Sequence, residues 1–180
     1  SQMKSRRACV LHTTTCGNLN SIDLITSVTT IVAYNPSIHD VSIFDCGNES
    51  LNTWLIRDAH HARLMGTANT YVFVKDSHVI AYYSLSAHQL QSDELPNRLA
   101  HGAPLAIPAY LIGKLAVTQE VQNQMIGGSL LIDAQLRLCR ASEGGPSARI
   151  ITIDATNDAA INFYRKIILF LHQQIKNKCS

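Results

Sequence analysis

Residues 110–139 read Tyr-Leu-Ile-Gly-Lys-Leu-Ala-Val-Thr-Gln-Glu-Val-Gln-Asn-Gln-Met-Ile-Gly-Gly-Ser-Leu-Leu-Ile-Asp-Ala-Gln-Leu-Arg-Leu-Cys. The run Tyr110–Val117 has the apolar density of a buried strand, and the polar residues after it read as a loop ending at Gly127-Gly128. Ile126, Leu130, Leu131, Ala134 and Leu138 then recur at helical spacing, which predicts an amphipathic helix to about Arg140. A strand, a glycine-bearing turn and a helix N-terminus together suit an anion, because free N–H groups converge there with the positive end of the helix dipole. An ordinary strand–loop–helix connection reads the same way from these residues alone, so the flanking chain has to decide.

The chain has 180 residues, enough for one domain with a real core, and its 46% hydrophobic and 16% charged residues are those of a globular protein. A formal charge of +2 does not by itself argue for nucleic acid. Cys9, Cys16, Cys46, Cys139 and Cys179 are odd in number and form no Cys-x-x-Cys pair, which predicts mostly free thiols in a reducing compartment, with a Cys9–Cys16 pairing open but not demanded. The longest apolar runs, such as Ile167–Leu171, are too short to span a bilayer, and no signal-peptide pattern follows Lys4, Arg6 and Arg7. Cytoplasmic residence is the expectation, with no membrane partner and no metal. Ser1-Gln2-Met3 reads as a vector-derived scar ahead of a start methionine.

Working outward, residues 1–35 read as an N-terminal arm with one β-branched stretch, Ser21–Ala33, of strand character. Residues 36–175 read as the domain proper. Asn48 is placed to cap a helix carrying Leu51, Trp54, Leu55, Ala59 and Ala62 on its buried side, and Gly66 to stop it. Thr70–Val74 and Val79–Leu85 predict a hairpin about Asp76-Ser77-His78, and residues 88–108, with Pro96, Pro104 and Pro108, a long loop. Ile150–Ala155 predicts a buried strand, Ala159–Lys166 a short helix, and Ile167–His172 a last strand. That order predicts an α/β (α+β) domain: one mixed, mostly antiparallel sheet flanked by helices.

Three stretches carry a family resemblance: Phe44-Asp45-Cys46-Gly47-Asn48-Glu49-Ser50-Leu51-Asn52-Thr53-Trp54-Leu55, Gly113–Gln119 with Gln122, and Asn157-Asp158-Ala159-Ala160-Ile161-Asn162-Phe163-Tyr164. Over roughly Phe44 to Phe170 the chain resembles the GNAT (Gcn5-related) N-acetyltransferase superfamily, and more narrowly the acetyltransferase toxins of bacterial type II toxin–antitoxin modules. The resemblance implies transfer of acetyl from acetyl-CoA to the α-amino group of an aminoacyl-tRNA, which blocks translation. It also implies a small DNA-binding antitoxin and a homodimer. Acetyl-CoA binding would fall to Leu115, Ala116 and Val117 of the strand, to Gln122, Asn123, Gln124, Met125, Ile126, Gly127 and Gly128 of the loop, and to Asn157 and Phe163. Tyr164 would be the catalytic acid: a phenol stays protonated at neutral pH and can donate to a leaving thiolate. No general base is assigned, Asp154 and His88 being the conceivable candidates.

Arg57, His60, His61 and Arg63 fall on the side of the first helix that would face tRNA, although a solvated helix face accounts for the same residues. The sequence departs from the family in its loop. Where the family runs Gln/Arg-Gly-x-Gly-x-Gly/Ala, this chain has Gln122-Asn123-Gln124-Met125-Ile126-Gly127. Asn tolerates a left-handed backbone, whereas Met125 there would be strained. It departs again after Tyr164, where Ile167-Ile168-Leu169-Phe170 has no glycine. Beside an active toxin enzyme with an adapted loop stand two rival expectations. One is a degenerate GNAT fold kept as an RNA- or protein-binding module, and the other is a GNAT enzyme acting on a protein or small-molecule amine.

Overall fold

Among the described residues, six strands form one sheet in a computed structural model of the chain, in the order Arg7–His12, Ile150–Ala155, Ala106–Val117, His78–Gln91, Asn69–Lys75, Ile31–Ala33. The structure describes residues 7–12, 31–95, 97, 101–102, 104–144, 150–155 and 160–167. The strands are β1 (Arg7–His12), β2 (Ile31–Ala33), β3 (Asn69–Lys75), β4 (His78–Gln91), β5 (Ala106–Val117) and β6 (Ile150–Ala155). Helices α1 (Glu49–Thr53) and α2 (Ala59–Leu64) are joined without a break by a π-helical segment, Trp54–Asp58. Helix α3 covers Ile126–Gly144, and α4 covers residues 160–167. Only the β5–β6 pair is parallel among the described strands. The expected mixed, mostly antiparallel sheet is therefore present.

The sheet buries both faces. On one, Phe44, Leu55, Ala59, Val72, Val79 and Tyr82 form a core under α1 and α2, with Leu55 and Tyr82 fully buried. On the other, Leu130, Leu131, Ala134 and Leu138 of α3 meet Tyr83, Ile112, Ile151 and Ile153, together with Ile161 and Tyr164 of α4. Successive strand residues point to opposite faces, which is how the adjacent Tyr82 and Tyr83 serve different cores. Each tyrosine also ties a helix to the sheet. The Tyr82 hydroxyl donates to the Leu51 carbonyl (2.8 Å), where the helix passes into its π segment. The Tyr83 hydroxyl donates to Asp133 of α3, whose Oδ2 also takes Arg137 Nε at 2.7 Å. Arg137 in turn lies over the Tyr71 ring and donates to the Ile31 carbonyl.

The predicted caps and turn are present. Asn48 Oδ1 accepts from the N–H groups of Ser50 and Leu51. Gly66 at φ 67° closes α2, with Gly66 N bonding Arg63 O and Thr67 N bonding Ala62 O. Asp76 and Ser77 both have positive φ, the geometry of a two-residue hairpin turn.

Four expectations are corrected or narrowed. Residues 88–108 are not one long loop: β4 runs to Gln91 and β5 begins at Ala106, because Leu90, Ile107 and Ala109 gain a small core with Leu95 and Ile150. Pro108 is accommodated just before the part of β5 that is paired on both sides. Of the stretch Ser21–Ala33, Ile31–Ala33 forms β2, and 21–30 lie outside the described residues. Arg7–His12 of the arm pairs antiparallel with β6 as an edge strand. Ile167, expected to open the last strand, belongs to α4 instead, and 168–172 lie outside the described residues.

Candidate active site

β5 and β6 pair only from Ala109–Ile112 to Ile150–Ile153 and then separate. A bulge helps to turn β5 away: its pairing with β4 jumps from Lys114 to Ile112 and leaves Gly113 over. Beyond the bulge, Thr118 N bonds Ile80 O of β4. By strand alternation Ala116 N–H also faces β4, so the Leu115 and Val117 N–H groups point to the open side. A cleft of about 590 Å³ occupies that opening, lined by Leu115, Ala116 and Val117, by the loop after them and by Phe163 and Ile167 of α4.

At the far wall α3 begins. Ser129 N bonds Met125 O, which closes the first helical turn and leaves the N–H groups of residues 125–128 without acceptors inside the helix. Asn123 and Met125 take φ values of 63° and 64°, the left-handed conformation expected of the glycines they replace. Alternating left-handed residues ahead of a helix N-terminus turn successive N–H groups to one side, as in an anion nest. The 66% exposed Met125 side chain leaves that backbone uncovered.

The loop is held by the stretch Asp45–Asn52. Asp45 Oδ1 accepts from Gly47 N (2.8 Å) and Asn52 Nδ2 (2.8 Å), and Asp45 Oδ2 from Gln119 Nε2 (2.7 Å). Its carbonyl accepts from Gln119 N and from the Thr118 hydroxyl. The Gly47 N–H, then Asn52 and Gln119, hold the Asp45 carboxyl below the usual carboxylate range. Gln122 Nε2 bridges Cys46 O (3.1 Å) and Val117 O (2.9 Å), so its amide braces the loop. The Cys46 thiol lies 3.1 Å from Asn52 Oδ1, and burial raises its pKa, which keeps it a protonated, poorly nucleophilic thiol.

An open-sided strand aiming N–H groups into a cleft, with a nest and a helix N-terminus opposite, suits an extended donor with an acyl carbonyl at one end and phosphates at the other. No family model matches the sequence. Among curated proteins the chain is 30% identical over 125 residues to a tRNA-acetylating toxin of Mycobacterium tuberculosis, spanning 69% of this chain and 75% of that one. The chain belongs to the tRNA-acetylating toxin family. Solved structures with the same fold include AtaT complexed with acetyl-methionyl-tRNAfMet (TM-score 0.68, 23% identity, 77% of this chain and 85% of that one). A tyrosine-to-phenylalanine mutant of KacT gives a TM-score of 0.69 at 24% identity over the same shares. AtaTR bound with AcCoA gives 0.62 at 22%, over 77% of this chain and 82% of that one.

Within this toxin-family fold, Leu115, Ala116, Val117, Gln122, Asn123, Met125, Ile126, Gly127 and Phe163 come together on one cleft. Gln124 is exposed and does not line it, and Asn157 lies outside the described residues. Gly127 and Gly128 owe their smallness to packing. A Cβ on Gly127 would lie 2.7 Å from Phe163 Cζ, and one on Gly128 would lie 3.1 Å from Ile167 Cδ1. Tyr164 is 5% exposed in the core with its ring edge-on to Phe163, and it is Phe163 that lines the cleft. His88 pairs with Ala109, five residues along β4 from Tyr83 and so roughly 17 Å from the cleft end of that strand. Asp154 stands half-buried one residue past the β5–β6 pairing.

Arg57, His60, His61 and Arg63 are all exposed, but Arg63 Nη1 donates to the Tyr34 carbonyl, which gives it a structural task. Sequence reasoning did not single out Cys46, Asn48, Leu51, Val121, Lys166 and Ile167 as cleft residues. The first three lie in the recognised Phe44–Leu55 signature, which was the available signal for them. Among the described residues no helix is long and apolar enough to cross a membrane, and no cluster of His, Cys, Asp or Glu suits a metal.

Proposed function

We propose that the protein is an acetyl-CoA-dependent N-acetyltransferase toxin acting on the α-amino group of aminoacyl-tRNA. The observation that carries the proposal is the splayed β5–β6 pair facing the nest at α3, in a chain of the tRNA-acetylating toxin family. When bound, acetyl-CoA supplies the activated acetyl thioester. The Leu115 and Val117 N–H groups orient the thioester arm and its carbonyl along β5, a small oxyanion-type contribution. The N–H groups at residues 125–128 take the phosphates. Gln119 and Gln122 keep the loop in that shape through Asp45, Cys46 and Val117. Tyr164 is assigned as the proton donor to the leaving thiolate, its ring fixed by the α3–α4 core.

The known neighbours extend the proposal to partners. AtaT is seen bound to the C-terminus of its antitoxin AtaR, and KacTA is seen in complex with DNA. A small DNA-binding antitoxin is proposed here on that footing; a homodimeric toxin and a cytoplasmic setting are proposed from the family resemblance alone.

The test is transfer of labelled acetyl to charged and uncharged tRNA by wild type and Tyr164→Phe. The expected result is label on charged tRNA only, with kcat lowered about 100-fold or more in the variant. Unchanged unfolding of Tyr164→Phe with unchanged kcat would assign the tyrosine to packing alone. Transfer only to peptides or small amines would reject the tRNA substrate.

A further inference from the structure

Among the described residues, the cleft offers a polyanionic donor only one charged side chain. Of the residues that line it, Lys166 alone carries a charge, and no ion pair of Lys166 occurs among the described residues. The loop itself is uncharged from Gln122 to Gly128, and the Gln122 amide nitrogen is already committed to two carbonyls. Backbone dipoles alone would then face a pyrophosphate and a phosphate monoester. Lys166 is held where it can serve. Phe163 and Ile167, four residues apart on α4, pack against Gly127 and Gly128 in the first turn of α3. That packing fixes α4 against the nest, with the exposed Lys166 stem at the cleft margin.

We infer that Lys166 is the phosphate-binding cation of this cleft, pairing with the anionic end of acetyl-CoA. The inference rests on the acetyl-CoA reading of the site. Lysine suits the role as a mobile point charge on a flexible stem, able to follow phosphates that the loop backbone positions.

The test measures kcat/KM for two donors at fixed charged tRNA: acetyl-CoA, and S-acetylpantetheine, which has the same thioester and no phosphate. Lys166→Ala is expected to lower kcat/KM for acetyl-CoA about ten-fold and to leave S-acetylpantetheine unchanged. Lys166→Arg should recover acetyl-CoA turnover to within about three-fold of wild type, since the charge is kept. An equal loss with both donors, or no loss with acetyl-CoA, overturns the assignment. If wild type turns over neither donor, the acetyl-CoA reading fails first and the assignment fails with it.

Discussion

Met125 occupies a left-handed conformation at φ 64° with its side chain in solvent, and nothing in its packing requires a methionine. A non-glycine residue in that conformation costs about 1–2 kcal/mol, partly offset in a glycine variant by the larger entropy of the unfolded chain. Met125→Gly should therefore stabilise the fold by roughly 0.5 kcal/mol in urea unfolding and tighten acetyl-CoA binding. Asn123→Gly should show no such gain, since asparagine enters the left-handed region readily. The strain at Met125 was legible in the sequence, because the glycine pattern set the expected backbone. The role of Asp45 was not, because its partners Thr118 and Gln119 lie 73 and 74 residues away. The Asp45 carboxyl has a folded pKa below its unfolded value, so its contribution is present above the unfolded pKa and is lost as pH falls through the folded one. Stability should thus drop as pH falls below about 4. In Asp45→Asn the acid limb should be shallower, read as the urea midpoint against pH.

The elements show the same division between local and distant causes. The Asn48 cap, the Gly66 stop and the Asp76-Ser77 turn depend on neighbours within a few residues, and each was legible. The π segment Trp54–Asp58 was not, since Tyr82, which donates to the Leu51 carbonyl beside it, comes from another element. Nor were the outer ends of β4 and β5, whose burial depends on Leu95 and Ile150. Gly127-Gly128 was read as part of an anion cradle, yet its side-chain-free surface is what admits α4. Gly127→Ala should push the Phe163 ring by placing a Cβ 2.7 Å from it, at a cost of about 1–3 kcal/mol. Adding Phe163→Leu should recover most of that loss in the same unfolding measurement, whereas a purely conformational role for the glycine would leave the double variant no better.

At the scale of the whole molecule, two cores on opposite faces of one sheet hold β5 rigid, and the separation of β5 from β6 opens the cleft between them and α3. Fold class and family were legible because the described parts of the three quoted stretches lie on elements around this opening. Tyr164 was legible only by resemblance, and its place in the core makes its role a matter for the Tyr164→Phe comparison. The central claim is that the loop still forms an acetyl-CoA site with Asn123 and Met125 in place of glycines. Calorimetric titration of the full chain with acetyl-CoA tests it most directly. Saturable binding of one acetyl-CoA per chain, tighter than about 1 mM or roughly −4 kcal/mol, is the predicted result. No binding heat at millimolar acetyl-CoA, across temperatures chosen to expose a heat-capacity change, would contradict it.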